Sequence, residues 1–387
     1  MSNIRSFWVL LFLSILTKTS AQEQNNIITA VSFLSQNIDA RSSGQGSLGV
    51  ATPSDVYSQQ WNAAKYIFSE DTTGASISFS PFNTNSSAGI YYASGTYFLK
   101  RNERSVWGAG FRYFNLGEIF LNEYTGGQII DRGVSKPNEI ALDISYSLKL
   151  NETFSMGVTG RYIRSDLNQP SSVERVSFNS VAFDIGAYYN GNLNNSVLFR
   201  HGAVISNLGP KVKYSNIQES YFIPITLKLG SSIEFQGASE NTFVGSLEFS
   251  KLLVPTLFED QINSGLIEGI FNSFSDAPGG ISEELSEVTW ALGFEYKFQD
   301  KFSLRTGYFR ESPKKGFRNY ITTGAGFVTQ FAEIDLSYLI NTSQIQNQIQ
   351  NKIRLSLNFP LFSGINQGET PSDSESSESQ EIETGSR

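Results

Sequence analysis

Cysteine is absent from this chain of 387 residues, histidine occurs once, as His201, and there are two methionines. Disulfide and thiolate chemistry are therefore closed to it, and any metal site would have to rest on carboxylates. Long apolar runs are lacking as well. The longest, Phe7–Leu16, is about half the ~20 residues a helix needs to span a bilayer. Mean hydropathy is −0.21, which excludes a helical membrane protein. Positive charge is also short: 29 Lys and Arg face 37 Asp and Glu, a net of −8, which argues against a nucleic-acid partner.

The short apolar run follows Arg5 and precedes Thr19-Ser20-Ala21. Charged start, apolar centre and small-residue end together predict a signal peptide over 1–21, cleaved before Gln22. At the other end, Glu369, Asp373, Glu375, Glu378, Glu381 and Glu383 stand against Arg387 alone. Residues 360–387 are apolar-poor and rich in Ser and Glu, and read as a disordered acidic tail on the periplasmic side.

What the chain does have is aromatics and glycine: 30 Phe, 17 Tyr and 33 Gly. Between residues 74 and 359 the pattern has period two. Ile140, Leu142, Ile144, Tyr146 and Leu148 alternate with Ala141, Asp143, Ser145 and Ser147; Trp290, Leu292, Phe294 and Tyr296 alternate with Ala291, Gly293 and Glu295. Such dyads give each strand one apolar and one polar face. Fourteen strands are expected, near 74–82, 89–101, 105–115, 139–150, 154–167, 176–190, 196–206, 222–236, 241–252, 288–298, 302–312, 319–329, 331–341 and 352–359.

A soluble sandwich shows the same local alternation. Strand length, however, matches the ~9–11 residues of a tilted membrane strand. Phe154, Tyr162, Tyr188, Tyr189, Trp290 and Phe298 sit near strand ends, where interfacial girdles belong. Connections also alternate between short turns (102–104, 151–153, 299–301) and long loops (116–138, 207–221, 253–287). That asymmetry is the mark of an outer-membrane barrel, with long loops extracellular and both termini periplasmic. The expectation is all-β: a 14-stranded antiparallel transmembrane β-barrel at 74–359, with 22–73 plugging its lumen.

The loop 253–287 is unusually apolar, carrying Leu257, Phe258, Ile262, Leu266, Ile267, Ile270, Phe271, Phe274 and Pro278. Spacings of three and four predict a short amphipathic helix, either folded over the barrel mouth or offered as a hydrophobic docking surface. Inward charges are expected at Arg112, Asp143, Lys149, Arg161, Lys228, Glu234, Glu295, Lys297, Arg305 and Arg354, paired across the lumen. Gly44-Gln45-Gly46-Ser47-Leu48-Gly49 matches a dinucleotide pattern but lacks the βαβ context, so its glycines are expected to make turns in the plug. His201 lies in a predicted strand and no Gly-x-Ser-x-Gly elbow occurs. It reads as structural or lumen-lining, and neither catalysis nor a cofactor nor a metal is expected.

Several segments carry a resemblance. Ile38-Asp39-Ala40-Arg41, Gly44/Gly46/Gly49, Asp55 and Trp61-Asn62-Ala63-Ala64-Lys65-Tyr66 resemble the N-terminal signature of the FadL-like barrels. Lys251-Leu252-Leu253-Val254-Pro255, Phe274-Ser275-Asp276-Ala277-Pro278-Gly279-Gly280 and Leu304-Arg305-Thr306-Gly307-Tyr308-Phe309 are similar to the PorV (LptO) family of the type IX secretion system. The chain departs at Ala63, where the superfamily usually has proline. The resemblance implies a plugged barrel with Asp39, Arg41, Gly44, Gly46, Gly49, Trp61 and Asn62 in the plug. It implies a non-enzymatic role: receiving the C-terminal domains of secreted cargo from a SprA/Sov-type translocon and passing them to a PorU-type sortase, which attaches them to lipopolysaccharide of the outer membrane. The alternative it leaves open is a transporter of long-chain fatty acids or other hydrophobic small molecules.

Overall fold

The computed structural model describes residues 27–82, 89–167, 176–214, 220–237, 240–256, 264–342 and 353–363. The signal-peptide expectation, Leu257, Phe258 and Ile262, and the tail beyond 363 lie outside the described residues.

Alternation becomes structure as sixteen strands: β1 (Asp71–Pro81), β2 (Ile90–Asn102), β3 (Ser105–Leu116), β4 (Ile119–Thr125), β5 (Gln128–Ser135), β6 (Asn138–Lys149), β7 (Phe154–Leu167) and β8 (Val176–Asn194). Then follow β9 (Val197–Leu208), β10 (Thr226–Gln236), β11 (Thr242–Leu252), β12 (Thr289–Phe298), β13 (Phe302–Arg310), β14 (Asn319–Val328), β15 (Glu333–Asn341) and β16 (Ile353–Ser363). Fourteen of them close into an antiparallel barrel, β1 pairing with both β2 and β16. Among the described residues no helix is long and apolar enough to cross a membrane; the strands do the crossing. Closure removes the sheet edges that lipid could not satisfy.

The pairing fixes which face is which. Leu142, Ile144, Val158, Val181 and Phe183 are exposed, while Asp143, Ser145, Thr159 and Ala182 between them are buried. Apolar residues outside and polar ones inside are the inverse of a soluble protein and the arrangement a bilayer selects.

Several expectations are corrected. The barrel begins at Asp71 rather than 74, and its last strand runs to Ser363, so 360–363 belong to the wall and not to the tail. Residues 221–225 precede β10 and lie outside the strand expected from 222. Loop 116–138 is a two-stranded hairpin, β4–β5, turning at Gly126-Gly127. Tyr188 points inward and is buried, its hydroxyl donating to Thr52 O at 3.0 Å. Adjacent residues on a strand face opposite sides, so only Tyr189 of that pair belongs to the girdle.

The plug occupies the lumen. The chain enters at the long-loop rim, where Ala30, Val31, Phe33 and Leu34 pack with Phe82, Tyr92, Phe222 and Leu253. It passes through helix α1 (Ala40–Gly44), helix α2 (Ser58–Trp61) and a 3₁₀ turn at Ala63–Phe68, and reaches the short-turn rim at Asp71. The N-terminus itself, expected at the short-turn rim, lies outside the described residues.

Candidate functional site

Two places could carry function: the plugged lumen and the rim formed by the long loops. In the lumen, the plug and wall are cut to each other. Asp39 caps α1, accepting from Ser42 N at 2.6 Å and from Trp61 Nε1 at 2.8 Å. Arg41 reaches across to the wall, its Nη2 2.9 Å from Glu295 Oε2, while its Nη1 lies 3.0 Å from Asp55 of the plug. Glu295 also takes Arg305 Nε at 2.7 Å, and Arg305 pairs with Asp335 and Glu333. The amides of Gly49 and Val50 donate to Glu248 Oε2 at 2.8 and 2.9 Å. Asn62 caps the 3₁₀ turn through Ala64 N and donates to Val50 O and Ala187 O.

Wall glycines make the seat. Gly157, Gly186, Gly202, Gly230, Gly293 and Gly307 all face plug backbone or side chains. At Gly202 and Gly307 an added Cβ would come within 3.0 Å of Val50 O and Gly46 N. Only glycine permits that approach. The Gly44–Gly49 run therefore turns within the plug as expected, with Gly46 at φ 83°.

The seven plug residues inferred from resemblance all lie in the lumen segment: Asp39, Arg41, Gly49, Trp61 and Asn62 make the bonds above, and Gly44 O and Gly46 N meet Thr322 Oγ1 of the wall. Lys65, part of the resembling segment but not among the seven, donates from Nζ to Gly49 O and Thr52 Oγ1, each at 2.9 Å. The sequence reading missed Tyr57 and Gln59, which are buried as Tyr66 is. A lysine between the apolar residues of Ala63-Ala64-Lys65-Tyr66-Ile67 was the available signal, since a charge in such company is usually paired.

Of the expected inward charges, Arg112, Asp143 and Arg161 pair with one another and with Asp184, and Glu234 pairs with Arg200, while Lys149 pairs instead with the exposed Glu152 of the adjoining turn. Lys228 lies 4.6 Å over the Trp61 ring. His201 does not line the lumen: Arg200 does, and His201 faces outward beside Ser231 Oγ, 2.8 Å from Nδ1. Above the plug is a cavity of about 310 Å³ lined by Arg112, Arg161, Asp184, Lys228, Glu248 and Glu311 among others, a surface suited to water or polar groups.

At the long-loop rim two helices form where one was expected: α3 (Leu266–Asn272) and α4 (Ile281–Glu287). Gly269 lets α3 lie directly on the Phe222 ring, and Leu266 and Ile270 pack inward. Ile267, Phe271 and Phe274 point out, 70%, 71% and 51% exposed. Pro278 is exposed in the turn that follows.

Helix α4 is inverted relative to an ordinary surface helix. Its carboxylates turn inward: Lys251 Nζ lies 3.0 Å from Glu284 and 2.5 Å from Glu287, and Lys315 Nζ 2.8 Å from Glu283 and 3.0 Å from Glu287. Ala277 N and Gly279 N donate to Glu284 and Glu283. Ile281 and Leu285 face water at 81% and 69% exposed. Burial would lower the Lys315 pKa, but the facing carboxylates of Glu283 and Glu287 outweigh it and the ammonium is held above its ordinary range. Asp276, Glu284 and Glu287 bring their oxygens within 4.8 Å of one another; the ammonium of Lys251 meets the charge of both glutamates there.

A family model described as "Type IX secretion system protein PorV" matches residues 19–259. No curated protein matches in sequence. Among solved structures, the chain is similar to the CymD monoaromatic hydrocarbon channel (12% identity, TM-score 0.50, covering 86% of this chain and 97% of that one). It is also similar to a Pseudomonas aeruginosa FadL homologue (11% identity, TM-score 0.46, covering 84% and 99%). At these identities the likeness concerns the fold.

Proposed function

Because this chain belongs to the PorV family of the type IX secretion system, and is an outer-membrane barrel of that apparatus, we propose that it receives exported proteins at its long-loop rim. The long loops face the cell exterior and the short turns the periplasm, following the general asymmetry of outer-membrane barrels. Cargo leaves a SprA/Sov-type translocon, docks by its C-terminal domain on the apolar face of α3 and α4, and passes to a PorU-type sortase. No step of this is chemical, and no side chain is assigned a catalytic role.

The observation that carries the reading is the inversion at the rim. Ile267, Phe271, Phe274, Ile281 and Leu285 are exposed together, while the glutamates of the same loop are drawn inward onto Lys251 and Lys315. Large apolar side chains left exposed in one loop of a folded chain suit a surface that a partner covers. The transporter reading would need an apolar path through the barrel, and the lumen presents arginines, lysines and carboxylates instead.

The test is the double substitution Phe271→Ser and Phe274→Ser. Both side chains are outside the packed core, so the compact, heat-modifiable barrel should persist on gels. Surface delivery of cargo should fall at least several-fold while cargo accumulates undelivered. Normal delivery by a folded double variant overturns the docking role.

A further inference from the structure

Above the plug the lumen forms a cup. Its floor is the plug, through Asn37, Ser47 and Gln60, and its sides are β3, β10 and β11, through Arg112, Lys228 and Glu248. It reaches the long-loop rim at Lys315 and Arg318. A volume of about 310 Å³ stands at the lower end of small-molecule sites. The plug lies beneath it, so a solute that enters from the long-loop side meets a floor.

Most charges that line the cup are matched. Arg161 takes Asp143 at 2.7 Å and Asp184 at 2.8 Å. Arg318 takes Glu311, and Lys315 takes Glu283 and Glu287. Two cations keep capacity to spare. Lys228 has no carboxylate at ion-pair distance among the described residues; its close contact is the Trp61 ring, 4.6 Å from Nζ. Glu248, the acid that acts on it most strongly, turns its Oε2 to the amides of Gly49 and Val50. Arg112 gives Nη2 to Asp143 and Nη1 to Leu34 O, both at 3.3 Å. Its Nε has no acceptor among the described residues, although the residue is only 4% exposed.

Arg112 and Lys228 are close enough for each to feel the other's charge. Like charges that share a lumen of low dielectric repel more than they would in water. An anion between them offsets that repulsion with two attractions. It also supplies the acceptor that a buried guanidinium N–H lacks, and an unmet buried donor is costly. The amides and hydroxyl of the floor suit a hydrophilic body rather than an acyl or aromatic one.

We propose that the cup binds one small hydrophilic anion, a carboxylate or phosphate, between the Lys228 ammonium and the Arg112 Nε–H. Its polar body rests on Asn37 and Gln60, so that it ties plug to wall. The inference rests on the lumen alone and is independent of the docking role.

Isothermal titration calorimetry tests it, on full-length mature protein in a non-ionic detergent at low ionic strength, with citrate and inorganic phosphate as probes. At least one probe should saturate a single site per barrel. Lys228→Met keeps a flexible side chain against Trp61 and removes the charge. Heat-modifiability should be unchanged and affinity should fall by roughly tenfold or more, the worth of one charge-assisted contact. Ser250→Phe, at the cross-strand partner of Lys228, keeps both cations but fills the cup and should abolish the site. The double variant Phe271→Ser and Phe274→Ser should bind as the wild type does, which separates failure here from failure of the docking role. The proposal is overturned if neither probe binds the wild type, or if Lys228→Met binds as tightly. It is equally overturned if sodium chloride at the same ionic strength gives the same heats.

Discussion

At the scale of single residues, Arg41 shows how the plug is held. Its guanidinium bridges Asp55 of the plug and Glu295 of β12, and Glu295 is shared with Arg305. All of these side chains are almost wholly buried, where a charge that loses its partner is far more costly than the pair is favourable. Arg41→Met is therefore expected to cost on the order of 3–5 kcal/mol. The check is a lower temperature for loss of the compact, heat-modifiable form. Arg164→Met is the control, since that guanidinium is partly exposed and 3.8 Å from Asp166, and exposed pairs are worth only about 0–1 kcal/mol. Equal stability of the two variants would mean that Arg41 does not anchor the plug. The identity of Arg41 as a plug residue came from resemblance; its partner did not. Glu295 is 254 residues away, and only closure of the barrel brings the two together.

At the scale of elements, the transmembrane strands were legible because the bilayer imposes its two-residue period on every one of them. The rim elements were less legible because no such constraint acts there. Hairpin β4–β5 carries Phe120, Tyr124, Ile129 and Val134, exposed in the described structure, so apolar alternation has no buried face to report. The Gly126-Gly127 turn between two strand-like runs was the signal, as two-residue glycine turns favour hairpins. Helix α4 was missed for the opposite reason. Ser282-Glu283-Glu284-Leu285-Ser286-Glu287 reads as solvated, yet its acids are the inward face. The clasp can be tested by Lys315→Met, which leaves Glu283 without that partner and Glu287 with Lys251 and the Thr256 hydroxyl. Residues 281–287 should then become several-fold more sensitive to protease at neutral pH while the barrel stays intact. The pH dependence has a definite sign. A lysine whose pKa is raised on folding contributes stability fully below its ordinary value of 10.5, and that contribution disappears as pH rises through the raised value. Protection of α4 should accordingly hold from neutral pH to about pH 10 and fail only above it. Loss of protection already at pH 8 in the wild type would show that another contact governs the helix.

At the scale of the molecule, the barrel is filled by its own N-terminal segment. Closure is distributed around the wall: Arg41 on β12, Gly49 and Val50 on β11, Asn62 on β8, Gly46 through Thr322 on β14. Glycines on β7 through β10 and on β12 and β13 let the plug backbone approach more closely than any side chain would allow. Displacing such a plug would break ion pairs, backbone hydrogen bonds and close glycine contacts on several strands at once, so these contacts act together against opening. Hydrophobic solutes would also meet Arg112, Arg161 and Lys228 on the way. The wild-type protein reconstituted in a planar lipid bilayer should therefore show no sustained ionic current. Cells that carry it as their sole FadL-like protein should take up labelled oleate no faster than cells that lack it. Saturable oleate uptake would establish a route through the barrel and turn the apolar rim from a docking surface into an entrance. A closed bilayer record together with absent uptake leaves the rim and the cup above the plug as the places where its work is done.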